Sequence, residues 1–148
     1  MIQTTTANDW NFILSTGSAV TNNAFGVGFN WGGAVGRIGV DSYNAYYSPT
    51  TVSKIINDGL WHTVLITYDG TTLSIYVDGI LDNTATNWNV GTTNTIASLL
   101  NTQSNNANYL GVGSDGNSDS WSGKLKSVIF YDYVVKDSYN VLYTSGNK

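Results

Sequence analysis

Between Asp58 and Gly79 the chain reads DGLWHTVLITYDGTTLSIYVDG, and few folds can accept that run. Two strand-like stretches, Trp61–Tyr68 and Leu73–Val77, flank the turn Asp69-Gly70-Thr71-Thr72. An Asp-Gly between alternating apolar runs is a strong hairpin signal, because glycine accepts the positive φ that a tight turn demands. Alternation puts Val64, Ile66 and Tyr68 on one face, with Leu73, Ile75 and Val77 on the matching face across the turn. A second Asp-Gly, at Asp78-Gly79, then returns the chain into Ile80–Ala85.

Shorter strand-like segments recur on both sides of this unit: Asn11–Ser15, Phe25–Asn30, Val35–Val40, Tyr43–Tyr47, Thr51–Ile56 and Tyr109–Gly113, with a long one at Trp121–Val134. Turn residues separate them, the pattern of an all-β sandwich. Phe25–Asn30 and Val35–Val40 read as a hairpin around Trp31-Gly32-Gly33, with glycines inside the strands marking bulges or close backbone approach. Thr86–Asn108 is rich in Asn, Thr and Ser and reads as a long surface excursion. Lys136–Tyr143 reads as one short helical turn. At 148 residues the whole of 1–148 is expected to form one domain, burying about 68% of its unfolded area.

Several function classes are excluded by what the chain lacks. It has no cysteine, so packing and strand pairing carry stability without disulfides or thiolate metal sites. Six basic residues stand against ten acidic ones, Arg37 is the only arginine, and the five lysines are scattered except for Lys124 and Lys126. Nucleic acid and anionic membrane surfaces require a clustered basic face, which is absent. No apolar run approaches the roughly 20 residues of a membrane helix. Every acid is an aspartate, with no glutamate at all.

The run Trp61–Gly79 resembles, nearly word for word, the WHHVAVTYDG…LYVDG signature of laminin-G-like domains in the concanavalin A-like lectin/glucanase superfamily. A second stretch, Trp121-Ser122-Gly123-Lys124-Leu125-Lys126-Ser127-Val128-Ile129-Phe130-Tyr131, is similar to that family's closing motif, with Lys126-Ser127 where the family carries an acidic pair. The resemblance implies an all-β, two-sheet antiparallel jelly-roll sandwich of the concanavalin A-like kind. Family members open with a strand containing Phe-Trp, whereas this chain starts inside that strand at Met1-Ile2-Gln3. The expectation is a sandwich lacking its first strand; a fragment, donation by a neighbour and a tolerated edge all stay open. Glucanases of the superfamily carry closely spaced Glu and Asp on one strand, and nothing here matches them, so glycosidase chemistry by paired carboxylates and any other enzymatic role are not expected.

Two groups of residues carry candidate chemistry. Asp115, Asn117 and Asp119 offer oxygen ligands at alternate loop positions, the spacing by which calcium loops wrap one ion, and the family often binds calcium at the sandwich rim. The same residues also make ordinary polar turns, and both readings stand. Trp31, Tyr43, Tyr46, Tyr47 and Trp88 lie on turns or in polar stretches, where exposed aromatics cost solubility unless used. With Asn44 and Asn87 (and Asn89) beside them, they suit sugar rings, which stack on aromatic faces and hydrogen-bond to amides. Ordinary sheet packing is the competing account of each aromatic. Trp61, Trp121 and the sole histidine, His62, are expected to be structural.

The expected function is non-catalytic recognition, glycan binding or adhesion at a cell or virion surface, through rim loops Asp41–Ser48, Thr86–Asn94 and Ser114–Ser120. Shallow sites gain strength by multivalency, so a homo-oligomer or a larger assembly is expected. The alternative is a structural virion or adhesin component (a decoration, fibre or tail protein) that docks protein instead of sugar.

Overall fold

The computed structural model describes residues 1–7, 11–18, 23–30, 34–43, 50–86, 108–111, 120–131 and 134. Ten strands run through them: β1 (Ile2–Gln3), β2 (Asn11–Ser18), β3 (Asn23–Phe29), β4 (Ile38–Tyr43), β5 (Thr50–Thr51), β6 (Val64–Tyr68), β7 (Leu73–Val77), β8 (Ile80–Ala85), β9 (Asn108–Leu110) and β10 (Lys124–Leu125). Every named strand pair is antiparallel, and the described residues contain no helix. One sheet has the order β5-β4-β3-β2-β9. The other is β6-β7-β8, and it is widened by a bridge from His62 to Ile2, which brings in β1 and β10.

The signature run folds as its alternation demands. Val64 faces Val77, Ile66 faces Ile75 and Tyr68 faces Leu73. Leu73, Ile75 and Val77 are fully buried, while Val64, Ile66 and Tyr68 pack against them half-buried. Asp78 and Gly79 both have positive φ, 51° and 87°, the two-residue hairpin geometry whose twist matches its strands. From the opposite sheet, Ile13, Val27, Phe29, Ile38 and Val40 enter the same cluster. Two β-layers therefore share one apolar interior.

Several segments differ from the sequence expectation. The strand expected at Val35–Val40 begins only at Ile38 and runs on to Tyr43. Thr51–Ile56 is not a strand beyond Thr51. Val52 and Ile56 plug into the core, and their amides donate to the carbonyls of Ile38 and Gly36 (2.9 and 2.8 Å). Among the described residues, the closing stretch Trp121–Val134 has strand pairing only at Lys124–Leu125, and the chain bends at Lys126. Trp61 is 41% exposed instead of packed inside. The parity of the strand explains this: His62, Val64 and Ile66 take the inward positions, so Trp61 falls on the other face.

Trp121 does pack as expected, its ring 5.3 Å from that of Phe29. Gly123 is required beside it. A Cβ there would stand 2.6 Å from the Gln3 carbonyl oxygen and 2.5 Å from Trp121 Cζ2, a separation that real side chains do not tolerate. The opening residues are held on both sides: Ile2 exchanges backbone hydrogen bonds with His62 (2.9 and 2.8 Å), and the Lys126 amide donates to the Met1 carbonyl (3.0 Å).

Candidate functional site

The densest polar arrangement in the described residues centres on His62. Its position is set by the hairpin: with Val64 opposite Val77, the β6–β7 ladder brings Thr63 and His62 beside Asp78 at the turn. His62 is only 6% exposed. Its Nδ1 lies 2.7 Å from Asp78 Oδ2 and its Nε2 lies 3.0 Å from Asp58 Oδ1. Asp78 also accepts from Lys54 Nζ (2.6 Å) and from the Thr63 amide (3.0 Å). Next to it, Asp82 accepts from the amides of Ser53 (2.5 Å) and Lys54 (3.0 Å), tying residues 53–54 to β8.

Burial alone pushes the His62 ring towards neutrality, but hydrogen bonds to Asp58 and Asp78 outweigh it and raise the pKa above 6.5. The Asp58 carboxyl is held below 3.8, chiefly by His62. Burial opposes ionisation of Asp78, yet Lys54, His62 and the Thr63 amide hold it below 3.8 as well. An imidazolium clamped between two carboxylates has both N–H groups spent. This network braces the hairpin; no described nucleophile is joined to it.

The charge pattern fixes a pH response. A raised histidine pKa contributes stability that is complete below the unfolded value, 6.5, and is lost as pH rises through the folded value. The depressed aspartates contribute stability above 3.8 that is lost as pH falls through their folded values. The Met1 amino group, lowered from 8.0 by burial and by Lys126, works in the opposite sense on the alkaline side. Comparison with His62→Gln isolates the histidine. The melting temperature of the native protein is expected to exceed that of the variant most between pH 3.8 and 6.5, with the gap narrowing as pH rises through the histidine's raised folded value. A gap that widens with alkalinity contradicts the assignment.

The residues singled out for ligand chemistry fall largely outside the described set. Trp31, Asn44, Tyr46, Tyr47, Asn87, Trp88, Asp115, Asn117 and Asp119 all do, while Tyr43 closes β4 opposite Ala24. The described anchors of their loops nevertheless sort into two ends of the sandwich. Tyr43, Thr50 and Ala85 lie at one end, where Asn83 donates to the Thr51 carbonyl (2.6 Å) and joins the two layers. The Asn30–Arg37 turn lies at the opposite end with the base of the 112–119 segment, closed by the Trp121 amide on the Gly111 carbonyl (2.7 Å). The His62 network belongs to that second end. Among the described residues, no group of three or more His, Asp, Glu or Cys could hold a metal ion.

Residues 2–138 match the family described as the concanavalin A-like lectin/glucanases superfamily, in its laminin-G form. The match spans most of the chain, and the chain belongs to that family. Its jelly-roll architecture is therefore that of this protein, within a superfamily of lectin-like and adhesion-type modules that are generally non-catalytic. No curated protein matches the chain. Among solved structures, it is similar to an S-layer domain-containing protein (residues 221–444) from Clostridium thermocellum ATCC 27405, determined at 2.1 Å. Identity is 15% and TM-score 0.45, over 99% of this chain and 67% of the other.

Proposed function

We propose that the protein is a non-catalytic recognition module that binds glycan at a cell or virion surface. The observation that carries this reading is in the sequence: Tyr43 is followed by Asn44, Tyr46 and Tyr47, and Ala85 by Asn87 and Trp88. The described residues that lead into those stretches, Tyr43 of β4 and Ala85 of β8, belong to the two layers that the Asn83–Thr51 hydrogen bond joins. Aromatic faces stack on the apolar faces of sugar rings, and amides hydrogen-bond the hydroxyls. Catalysis has no support in the residues: there is no glutamate in the chain, and both nitrogens of the sole histidine are occupied by carboxylates. Binding at such a site is shallow and is strengthened by presenting several copies.

A glycan array is expected to give specific hits that Tyr46→Ala and Trp88→Ala each weaken at least about tenfold, the order of one lost stacking contact with its hydrogen bonds. Hits that survive both substitutions overturn the reading. Asp115, Asn117 and Asp119, in the segment between Gly111 and Ser120, are proposed as a calcium loop. Chelation is thus expected to lower the melting temperature while leaving glycan affinity unchanged.

A further inference from the structure

Asp-Gly occurs four times in the chain, at 58–59, 69–70, 78–79 and 115–116, and the last pair lies outside the described residues. In this dipeptide the glycine nitrogen lies within reach of the preceding side-chain carboxyl, and glycine puts no side chain in the way. The fold treats the three described pairs differently.

At Asp58-Gly59 the nitrogen is engaged. The Gly59 amide donates to the Thr4 carbonyl (3.0 Å), while Asp58 Oδ1 accepts from the Leu60 amide (2.8 Å) and lies 3.0 Å from His62 Nε2. At Asp78-Gly79 the carboxylate is engaged through both oxygens. Oδ1 accepts from the Thr63 amide, and Oδ2 from Lys54 Nζ and His62 Nδ1. Neither oxygen departs without breaking an ion pair or the bond to the Thr63 amide.

Asp69-Gly70 is arranged for the opposite result. It forms the tip of the β6–β7 hairpin, with both residues exposed and a Cβ built at Gly70 meeting nothing within 4 Å. Among the described residues no acceptor receives the Gly70 amide, and its carbonyl accepts from the Tyr68 hydroxyl (2.8 Å). Asp69 Oδ1 accepts from the amides of Thr71 and Thr72 (3.0 and 2.7 Å). Those two N–H groups point at the oxygen that gains charge when Cγ is attacked, the way a developing oxyanion is stabilised.

We propose that Asp69-Gly70 is a self-modification site, at which the folded protein converts Asp69 to isoaspartate. The Gly70 nitrogen bonds to Asp69 Cγ and gives up its proton. Oδ2 takes that proton and one from solvent and leaves as water, closing a succinimide ring. Water then adds to the main-chain carbonyl carbon of Asp69 and breaks its bond to the Gly70 nitrogen, and the new α-carboxyl returns one proton to solvent. One water leaves and one enters, so nothing is oxidised or reduced. The main chain then runs through Cβ and Cγ, one methylene longer, and the tip no longer matches the Tyr68–Leu73 pair that it joins. This chemistry is separate from the proposed glycan binding and does not depend on it.

The test holds the full chain folded at neutral pH in water enriched in heavy oxygen. Its peptides are then mapped by mass spectrometry with electron-transfer fragmentation, which tells isoaspartate from aspartate. Isoaspartate carrying one heavy oxygen is expected at residue 69, at least about tenfold ahead of residues 58 and 78, the order of one hydrogen bond that those sites must first break. In urea the three sites are expected to converge, because the contacts that separate them are gone. Asp69→Asn keeps an acceptor for Thr71 and Thr72 and loses ammonia instead of water. A neutral amide needs no proton before attack, so heavy oxygen should enter residue 69 faster in this variant. Equal labelling of the three sites in the folded chain overturns the proposal, as does a lead for residue 69 that persists unchanged in urea. Isoaspartate at 69 without heavy oxygen, or an Asp69→Asn chain labelled no faster, overturns it too.

Discussion

Ile75→Ala is expected to destabilise the protein by about 4 kcal/mol, near the upper part of the range for emptying a fully buried aliphatic site. Ile75 is completely inaccessible on β7, the middle strand of its three-stranded ladder, with Ile66 directly across from it. The lost methyl and methylene groups leave a void that two paired neighbours and an opposing sheet cannot close. Ile66→Ala should cost less, because its site on β6 is half-open and relaxes more readily. Ile80→Ala, at 70% exposure on the same sheet, is expected to stay within about 0.5 kcal/mol. Urea unfolding measures all three. The midpoint should move while its slope holds, since the area exposed on unfolding hardly changes. Against a whole-domain stability of about 5–15 kcal/mol, the Ile75 loss is large. A cost for Ile75→Ala no greater than that for Ile80→Ala removes the two-layer core from the account.

That core was readable in the sequence because two Asp-Gly turns pin its register. Between Asp69-Gly70 and Asp78-Gly79 there is only one way to pair the strands that keeps Val64, Ile66 and Tyr68 opposite Val77, Ile75 and Leu73, and the structure has that pairing. The Trp121–Val134 segment had no such pin. Val-Ile-Phe-Tyr has strong β propensity, but propensity records fit to a neighbouring strand, and pairing there stops at Leu125. Thr51–Ile56 misled for a related reason. Its apolar residues at 52, 55 and 56 mix two core plugs with an exposed Ile55, a pattern set by hydrogen bonds to residues 36 and 38 that only the fold brings close.

The charged network was the least visible part. Asp78 reads as turn punctuation, and nothing local says that its carboxylate serves three donors. A signal did exist in the hairpin register: extending it one step past Val64 and Val77 sets Thr63 beside Asp78, with His62 next in line. The contributions of Lys54 and Asp58 could not have been read the same way. They arrive from a segment with no strand register of its own.

Asp78→Ala is the second large effect, an expected loss of about 3 kcal/mol. The substitution strands a buried imidazolium and an amide hydrogen bond at once, and breaking one partner of such a network costs more than the network adds. Part of that loss is discounted because Asp78 is partly exposed and Lys54 more so. Alanine also fits the positive φ of 51° poorly, where aspartate and asparagine are tolerated. Asp78→Asn separates these contributions. It keeps the turn and an acceptor for the Thr63 amide but removes the charge, so it should lose about half as much. Asp58→Ala, on the exposed side of the ring, should shift stability only slightly. The two variants at position 78 should also reduce the pH-dependent gap relative to His62→Gln, because one of the two carboxylates that raise the histidine pKa is then gone. If Asp58→Ala proves as costly as Asp78→Ala, the network is not organised around the turn, and the brace has to be sought on the outer carboxylate instead.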